Sequence, residues 1–310
     1  MFVLLGPTGV GKSEAALTIA KHLDSPVINA DSRQIYKEIP VGTAAPTPQQ
    51  QKEVRHYFVG NRSIDDYYSA SLYEKECLSL IERLFNGSED DTRHSSLLLT
   101  GGSMMYIDAV CKGIDDIPTV NEETRQWMKQ RLQTEGLPKL VEELHLLDPE
   151  YWAIVDKNNP RRVVHALEIC HQSGHPYSFY RKGSVRQRPF RIIKTGLNRP
   201  REKMYERINA RVLQMVKDGL IEEALSVYDK RSLNALNTVG YKEMFDYLNG
   251  LITLDEAIRK TQSNTRRYMR KQLTWFKKDP DIHWFSPNDI QAVIRFIDKI
   301  LSANSRFFVR

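Results

Sequence analysis

The stretch MFVLLGPTGVGKSEAALTIAKHLDSPVINADSRQIY, residues 1–36, decides the fold. Phe2 to Leu5 reads as a short buried strand. The loop that follows, Gly6-Pro7-Thr8-Gly9-Val10-Gly11-Lys12-Ser13, is spelled glycine, four residues, glycine, lysine, serine. A helix opens at once, with Ala16, Leu17, Ile19, Ala20 and Leu23 recurring at helical spacing. The spelling has a chemical reason. Glycines let backbone N–H groups converge on phosphate oxygens, the helix N-terminus adds partial positive charge, and Lys12 adds a full one. Ser13 is placed to hold a Mg²⁺ ion that bridges the same phosphates. The stretch is therefore expected to bind a di- or triphosphate.

Working outward, Pro26 to Ala30 reads as a second buried strand that delivers Asp31 at its carboxyl end. Ligands of open α/β sheets sit outside the carboxyl ends of the strands, so Asp31 should share a crevice with the phosphate loop. Val41 to Pro46 reads as turns rather than a regular element. Arg55 to Val59 is a short strand, Asp65 to Phe85 a long helix stopped by Asn86-Gly87, and 88–95 a polar surface loop. Ser96 to Thr100 is an unbroken apolar run suited to a sheet covered on both faces. It ends in Gly101-Gly102-Ser103, with a helix from Met104 to Cys111 behind it. From Asn121 to Gly174 everything legible is helical, in segments 121–133, 137–147 and 160–172. The chain returns to the sheet at Phe190 to Leu197. Later helices are read from the stripe Met204, Ile208, Val212, Met215, Val216, from Thr238 to Glu243, and from Thr253 to Trp275. The expected architecture is α/β: a parallel sheet flanked by helices over 1–114 and 190–310, interrupted by an all-helical subdomain over 115–189.

A chain of 310 residues exceeds the size at which single cores stop growing, which agrees with an insertion. No apolar run approaches the roughly 20 residues needed to span a bilayer. No leader is read ahead of the strand at Phe2, and a cytoplasmic protein is the expectation. Cys77, Cys111 and Cys170 are widely spaced and lack a metal-ligand pattern, which points to free thiols and not to a zinc site. Net charge is +6. Nine basic residues and one acid lie between Arg181 and Lys203. A second cluster, Arg266, Arg267, Arg270, Lys271, Lys277 and Lys278, is interleaved with Tyr268, Trp275 and Phe276. Two such clusters in a phosphate-binding chain point to nucleic acid.

The succession GPTGVGKS, DSRQIY, VGTAAP, GGSMMY, PRRVVHALEI, GLNRPREKMYERINARVLQMVKDGLIEEA, TVGYKE and TRRYMRKQLTWF spans nearly the whole chain. In that order the strings resemble the tRNA dimethylallyltransferase family. The resemblance implies a phosphate-loop NTPase-like core and a monomer. It also implies transfer of a dimethylallyl group from dimethylallyl diphosphate to the exocyclic amine of adenosine 37, next to the anticodon, in tRNAs reading codons that begin with U. Under it the loop holds a leaving group, with Gly6 to Ser13 binding diphosphate, Lys12 and Mg²⁺ on Ser13 stabilising departing charge, and Thr8 adding a hydroxyl. Asp31 becomes the candidate general base. Ser103 stands where the family has threonine and is expected to hydrogen-bond the adenosine. Asp31, Ser32, Arg33, Gln34 and Ser103, with Arg125, Arg161, Arg162, Val163, Val164 and His165, are the implied tRNA contacts. His165 replaces a common arginine, and Ala45 a common lysine.

Two other readings stay open on the residues alone. A phosphate-loop kinase or NTPase explains the loop equally well, although no apolar strand ends in a second metal-binding carboxylate. A non-catalytic RNA-binding module explains the basic clusters, although Lys12, Ser13, Asp31 and Ser103 are all intact.

Overall fold

The computed structural model describes residues 1–87 and 92–305, so residues 88–91 of the expected surface loop lie outside the described residues. The chain divides into two compact units, Met1–Cys111 with Arg188–Arg310, and Lys112–Gln187. Each is described by itself.

The larger unit is built on β1 (Phe2–Leu5), β2 (Val27–Asn29), β3 (His56–Tyr57), β4 (Leu98–Gly101), β5 (Ile193–Leu197) and β6 (Ile282–Phe285). They form one parallel sheet in the order β3-β2-β4-β1-β5-β6. Side chains alternate between faces of a strand. Accordingly Val3 and Leu5 enter one core with Ile28, Tyr73, Ile81, Leu99 and Tyr241, while Phe2 and Leu4 enter the other with Ile19, Leu98, Val293 and Ile297. Both faces of β1 and β4 are buried, which is why these strands read as continuous apolar runs. The first core is roofed by the Ala70–Asn86 and Met104–Lys112 helices, the second by Lys12–His22 and Ile290–Ser305.

Register positions the site. Leu5 pairs with Gly101 and Gly196, and Asn29 with Thr100. The loops after β1, β2 and β4 therefore leave from one edge, with the β4 turn between the phosphate loop and Asp31.

The long helix begins at Ala70, five residues later than its apolar pattern suggested. Ser69 caps it by accepting the Leu72 N–H, while Asp66 closes a turn by accepting the Ser63 N–H. The 41–46 stretch holds a helical turn, Pro40–Thr43, where turns alone were expected. Its stabilising partner is remote: the Glu223 carboxylate accepts the N–H groups of Val41 and Gly42, each at 2.7 Å. The Pro48–Glu53 helix, opened by a Thr47–Gln50 capping box, the Pro149–Ile154 helix, β6 and the Ile290–Ser305 helix have no counterpart in the sequence reading.

The smaller unit packs the helices Glu122–Glu135, Leu137–Leu147, Pro149–Ile154 and Pro160–Ser173 around Met128, Leu140, Leu144, Val163 and Leu167. Asp148, 1% exposed, ties the start of the Pro149–Ile154 helix to the Tyr177–Tyr180 turn: it accepts the N–H of Tyr151 and both the N–H and hydroxyl of Ser178.

Candidate active site

A cavity of about 590 Å³ opens at the carboxyl edge of the sheet. Thr8, Gly9, Gly11, Lys12 and Ser13 form one wall and Asp31 the opposite one. Gly9 and Gly11 have φ of 81° and 106°, a left-handed backbone that a residue with Cβ resists. The Lys12 ammonium folds over the loop and donates to the carbonyls of Gly6 at 2.8 Å and Pro7 at 3.0 Å. Burial pulls its pKa down to about 8. Asp31 opposes that shift and Arg211 adds to it.

Not every residue of the loop can serve an anion. Pro7 has no N–H, the Thr8 N–H donates to Gln272 at 2.9 Å, and the Val10 N–H turns back to the Pro7 carbonyl. Gly6, Pro7 and Val10 are buried beneath the cavity wall. Of the loop, Thr8, Gly9, Gly11, Lys12 and Ser13 line the cavity, the last two opening the Lys12–His22 helix.

Asp31 Oδ1 accepts the N–H groups of Arg33 at 2.9 Å and Gln34 at 3.4 Å, a local turn that fixes the carboxylate. Gly101 makes this approach possible, since a Cβ on it would sit 2.2 Å from the Ala30 carbonyl oxygen. Gln34 lines the cavity and is held by the carbonyls of Thr43 and Ala44. Ser103, the expected adenosine contact, lies against Ser32 beside Asp31. It is 8% exposed, and its hydroxyl accepts the Ser32 N–H at 2.7 Å and donates to Ser32 Oγ at 3.0 Å. It supports the Asp31 turn from beneath. Arg33 donates one N–H of its guanidinium to the Asn234 carbonyl at 2.9 Å.

Four groups that the sequence reading did not assign to the site complete it. Arg207 and Arg211, one turn apart on the Arg201–Lys217 helix, line the cavity, and Arg207 donates to the Gly9 carbonyl at 3.0 Å. Burial lowers the pKa of Arg211, with Asp31 opposing. The Leu254–Phe276 helix adds Tyr268 and Gln272 to the wall. Burial, reinforced by Asp31, pushes the Tyr268 phenol up to about 12, so it is a neutral donor at ordinary pH.

The basic clusters prove mixed in purpose. Arg188 is buried against Glu74, Lys194 pairs with Asp279 at 2.7 Å, and Arg199 donates to the Val10 carbonyl. Those three serve the fold. Arg125 and residues 161–165 all belong to the Lys112–Gln187 unit. Arg161, Arg162 and His165 are exposed there, and Val164 is half-buried. Val163 is fully buried in that unit's core.

A β1 strand, a glycine loop curled round a lysine and a helix, on a parallel sheet, define a phosphate-loop protein of the NTPase-like α/β class. Residues 34–279 match the family model described as IPP transferase, and the chain belongs to that family. It is 55% identical to tRNA dimethylallyltransferase 1 of Phocaeicola vulgatus over 97% of this chain and 98% of the relative. The crystal structure of the full-length tRNA isopentenylpyrophosphate transferase of Bacillus halodurans superposes with a TM-score of 0.70 at 32% identity, covering 99% and 98% of the two chains. A eukaryotic dimethylallyltransferase acting on tRNA shares the fold, with a TM-score of 0.77 at 22% identity over 98% of this chain and 79% of that one.

Proposed function

We propose that this protein is a tRNA dimethylallyltransferase. It transfers the dimethylallyl group of dimethylallyl diphosphate to the exocyclic amine of adenosine 37, beside the anticodon, in tRNAs reading codons that begin with U, and releases diphosphate. The observation that carries the reading is the convergence of a leaving-group cradle and a fixed carboxylate on one cavity, in a chain of the IPP transferase family.

The bond from carbon to the diphosphate oxygen breaks only if the departing charge is stabilised. The N–H groups of Gly9, Gly11, Lys12 and Ser13, the Lys12 ammonium and the guanidinium groups of Arg207 and Arg211 supply that stabilisation. Thr8 adds its hydroxyl at the rim. The attacking amine has its lone pair spread into the purine ring. Asp31 accepts its proton as the new carbon–nitrogen bond forms, a contribution typically of about 10² to 10⁴ in rate. Mg²⁺ fits the donor set. Among the described residues no group of three or more His, Cys, Asp or Glu side chains could hold a metal, which leaves the Ser13 hydroxyl, the diphosphate and water. An ion that keeps several waters and takes few protein ligands suits that set. When bound, it neutralises charge on the diphosphate.

The adenosine reaches Asp31 only after leaving its stack, at a cost of a few kcal/mol offset by contacts to neighbouring nucleotides. Ser32, Arg33, Gln34 and Ser103 beside Asp31, and Arg125 with the segment Arg161, Arg162, Val163, Val164 and His165 of the smaller unit, are the proposed RNA contacts. Among the described residues no helix is long and apolar enough to cross a membrane. Incubation with dimethylallyl diphosphate, Mg²⁺ and unmodified tRNA, followed by nucleoside analysis, tests the reading. Isopentenyladenosine at position 37 supports it; unmodified adenosine after complete incubation refutes it.

A further inference from the structure

We propose that Gln272 is a positioning residue of this site, whose side-chain amide locks the phosphate loop to the β4 turn and so sets the leaving group against Asp31. The activity arm of the proposal rests on the prenyl-transfer reading; the binding arm does not. Gln272 is 1% exposed. Its Oε1 accepts the Thr8 N–H at 2.9 Å, and its Nε2 donates to the Gly102 carbonyl at 2.7 Å. Both partners are backbone groups, 264 and 170 residues away in sequence. What the amide fixes is therefore the orientation of two peptide planes.

Those planes lead to the two working groups. The peptide that carries the Thr8 N–H presents, on its opposite side, the Pro7 carbonyl that accepts the Lys12 ammonium. The peptide that carries the Gly102 carbonyl presents the Ser103 N–H, which donates to the Ala30 carbonyl at 3.1 Å, directly before Asp31. Lys12 and Asp31 are thus joined through two peptide planes and one side chain. The joint needs one acceptor and one donor on a rigid planar group. Glutamine supplies both. Methionine supplies neither, and an ionised glutamate lacks the donor. Gly102 leaves the room: a Cβ on it would come within 2.7 Å of Gln272 Nε2, but no closer than 3.8 Å to Asp31 and 3.9 Å to Lys12.

The test compares wild type, Gln272→Met, Gln272→Glu, Gly102→Ala and the Gly102→Ala/Gln272→Met double variant as full chains. A misplacement of this kind can cost up to about 100-fold, so kcat should fall at least about tenfold in Gln272→Met and Gly102→Ala. Affinity for tRNA should stay within about twofold, and the losses should not multiply in the double variant, because both changes break one joint. Affinity for inorganic diphosphate should weaken about threefold or more in Gln272→Met, through the disturbed Pro7 carbonyl and Lys12. Gln272→Glu carries the sharpest readout. Its protonated carboxyl restores the donor, so its activity relative to wild type should rise as pH falls; a flat ratio overturns the proposal. So do kcat values within twofold of wild type, or losses that multiply. Should the wild type form no prenylated tRNA, the functional reading fails, while the diphosphate arm still judges Gln272: unchanged affinity in Gln272→Met overturns its role.

Discussion

Lys12 and Asp31 flank Gly102. A methyl group placed on that glycine would lie 3.9 Å from the Lys12 ammonium and 3.8 Å from Asp31 Oδ2. The proposed roles, Lys12 stabilising departing negative charge and Asp31 accepting a proton, need the two groups this near to one another. The pair also explains why Lys12 tolerates burial at all, since Asp31 offsets part of the cost that draws its pKa to about 8.

Because the folded-state pKa of Lys12 lies below the ordinary lysine value of 10.5, the folded protein releases this proton first as pH rises. Between about pH 8 and 10.5 the unfolded chain holds more protons than the native one, so this group makes stability rise with pH across that window. Diphosphate requires the charged form, so its binding at pH 9 should draw a proton onto Lys12, and at pH 6.5 it should not. Calorimetry in buffers of different ionisation enthalpy measures the uptake. The difference between wild type and Lys12→Met cancels the ionisation of the ligand.

Arg211 lowers the Lys12 pKa and lines the same cavity. Its replacement by methionine has two expected results. Inorganic diphosphate should bind at least about tenfold more weakly, a charge-assisted contact being worth about 1.5–3 kcal/mol. The pH at which binding takes up a proton should move higher, because Lys12 no longer meets a neighbouring cation. Weaker binding without that movement would place Arg211 on the diphosphate but away from Lys12.

Arg188 and Glu74 form an ion pair with side chains 8% and 7% exposed, and Arg188 also donates to the carbonyls of Ala109 and Val110. Arg188→Met removes the guanidinium from a buried carboxylate and should cost about 3–5 kcal/mol. Adding Glu74→Gln should recover part of that loss. Thermal or urea unfolding of the single and double variants measures both.

The parts legible in the sequence were those whose chemistry dictates spelling. The phosphate loop must be glycine-rich and end in lysine and serine, and Asp31 follows directly from a strand end. What stayed hidden was assembled from far along the chain. Arg207 and Arg211 border the apolar stripe Met204, Ile208 and Val212 of their helix, a stripe that reads as core packing alone. Gln272 did leave a trace. It falls between Met269 and Phe276 on the buried side of its helix, and a polar residue on an apolar stripe signals a buried hydrogen bond. The Ser103 hydroxyl is legible by residue type, whereas its bond to Ser32 comes only from the fold. Residues 161–165 read as one contiguous string, whereas the helix turns Val163 into the unit's core and leaves Arg161, Arg162 and His165 exposed. The basic clusters read as a nucleic-acid surface, whereas Arg188 and Lys194 spend their charge on buried ion pairs and Arg199 on the phosphate-loop carbonyl of Val10.

One comparison bears on all of this: transfer of label from dimethylallyl diphosphate to unmodified tRNA by wild type and by Asp31→Ala, with tRNA affinity measured alongside and labelled ATP in a parallel reaction. With Asp31 as the base, the wild type labels the tRNA, and the variant loses about 10² to 10⁴ in turnover at nearly unchanged tRNA affinity. Near-normal turnover in the variant would remove Asp31 from the mechanism. Release of phosphate from ATP with no label in the tRNA would mean that the loop serves a nucleotide instead.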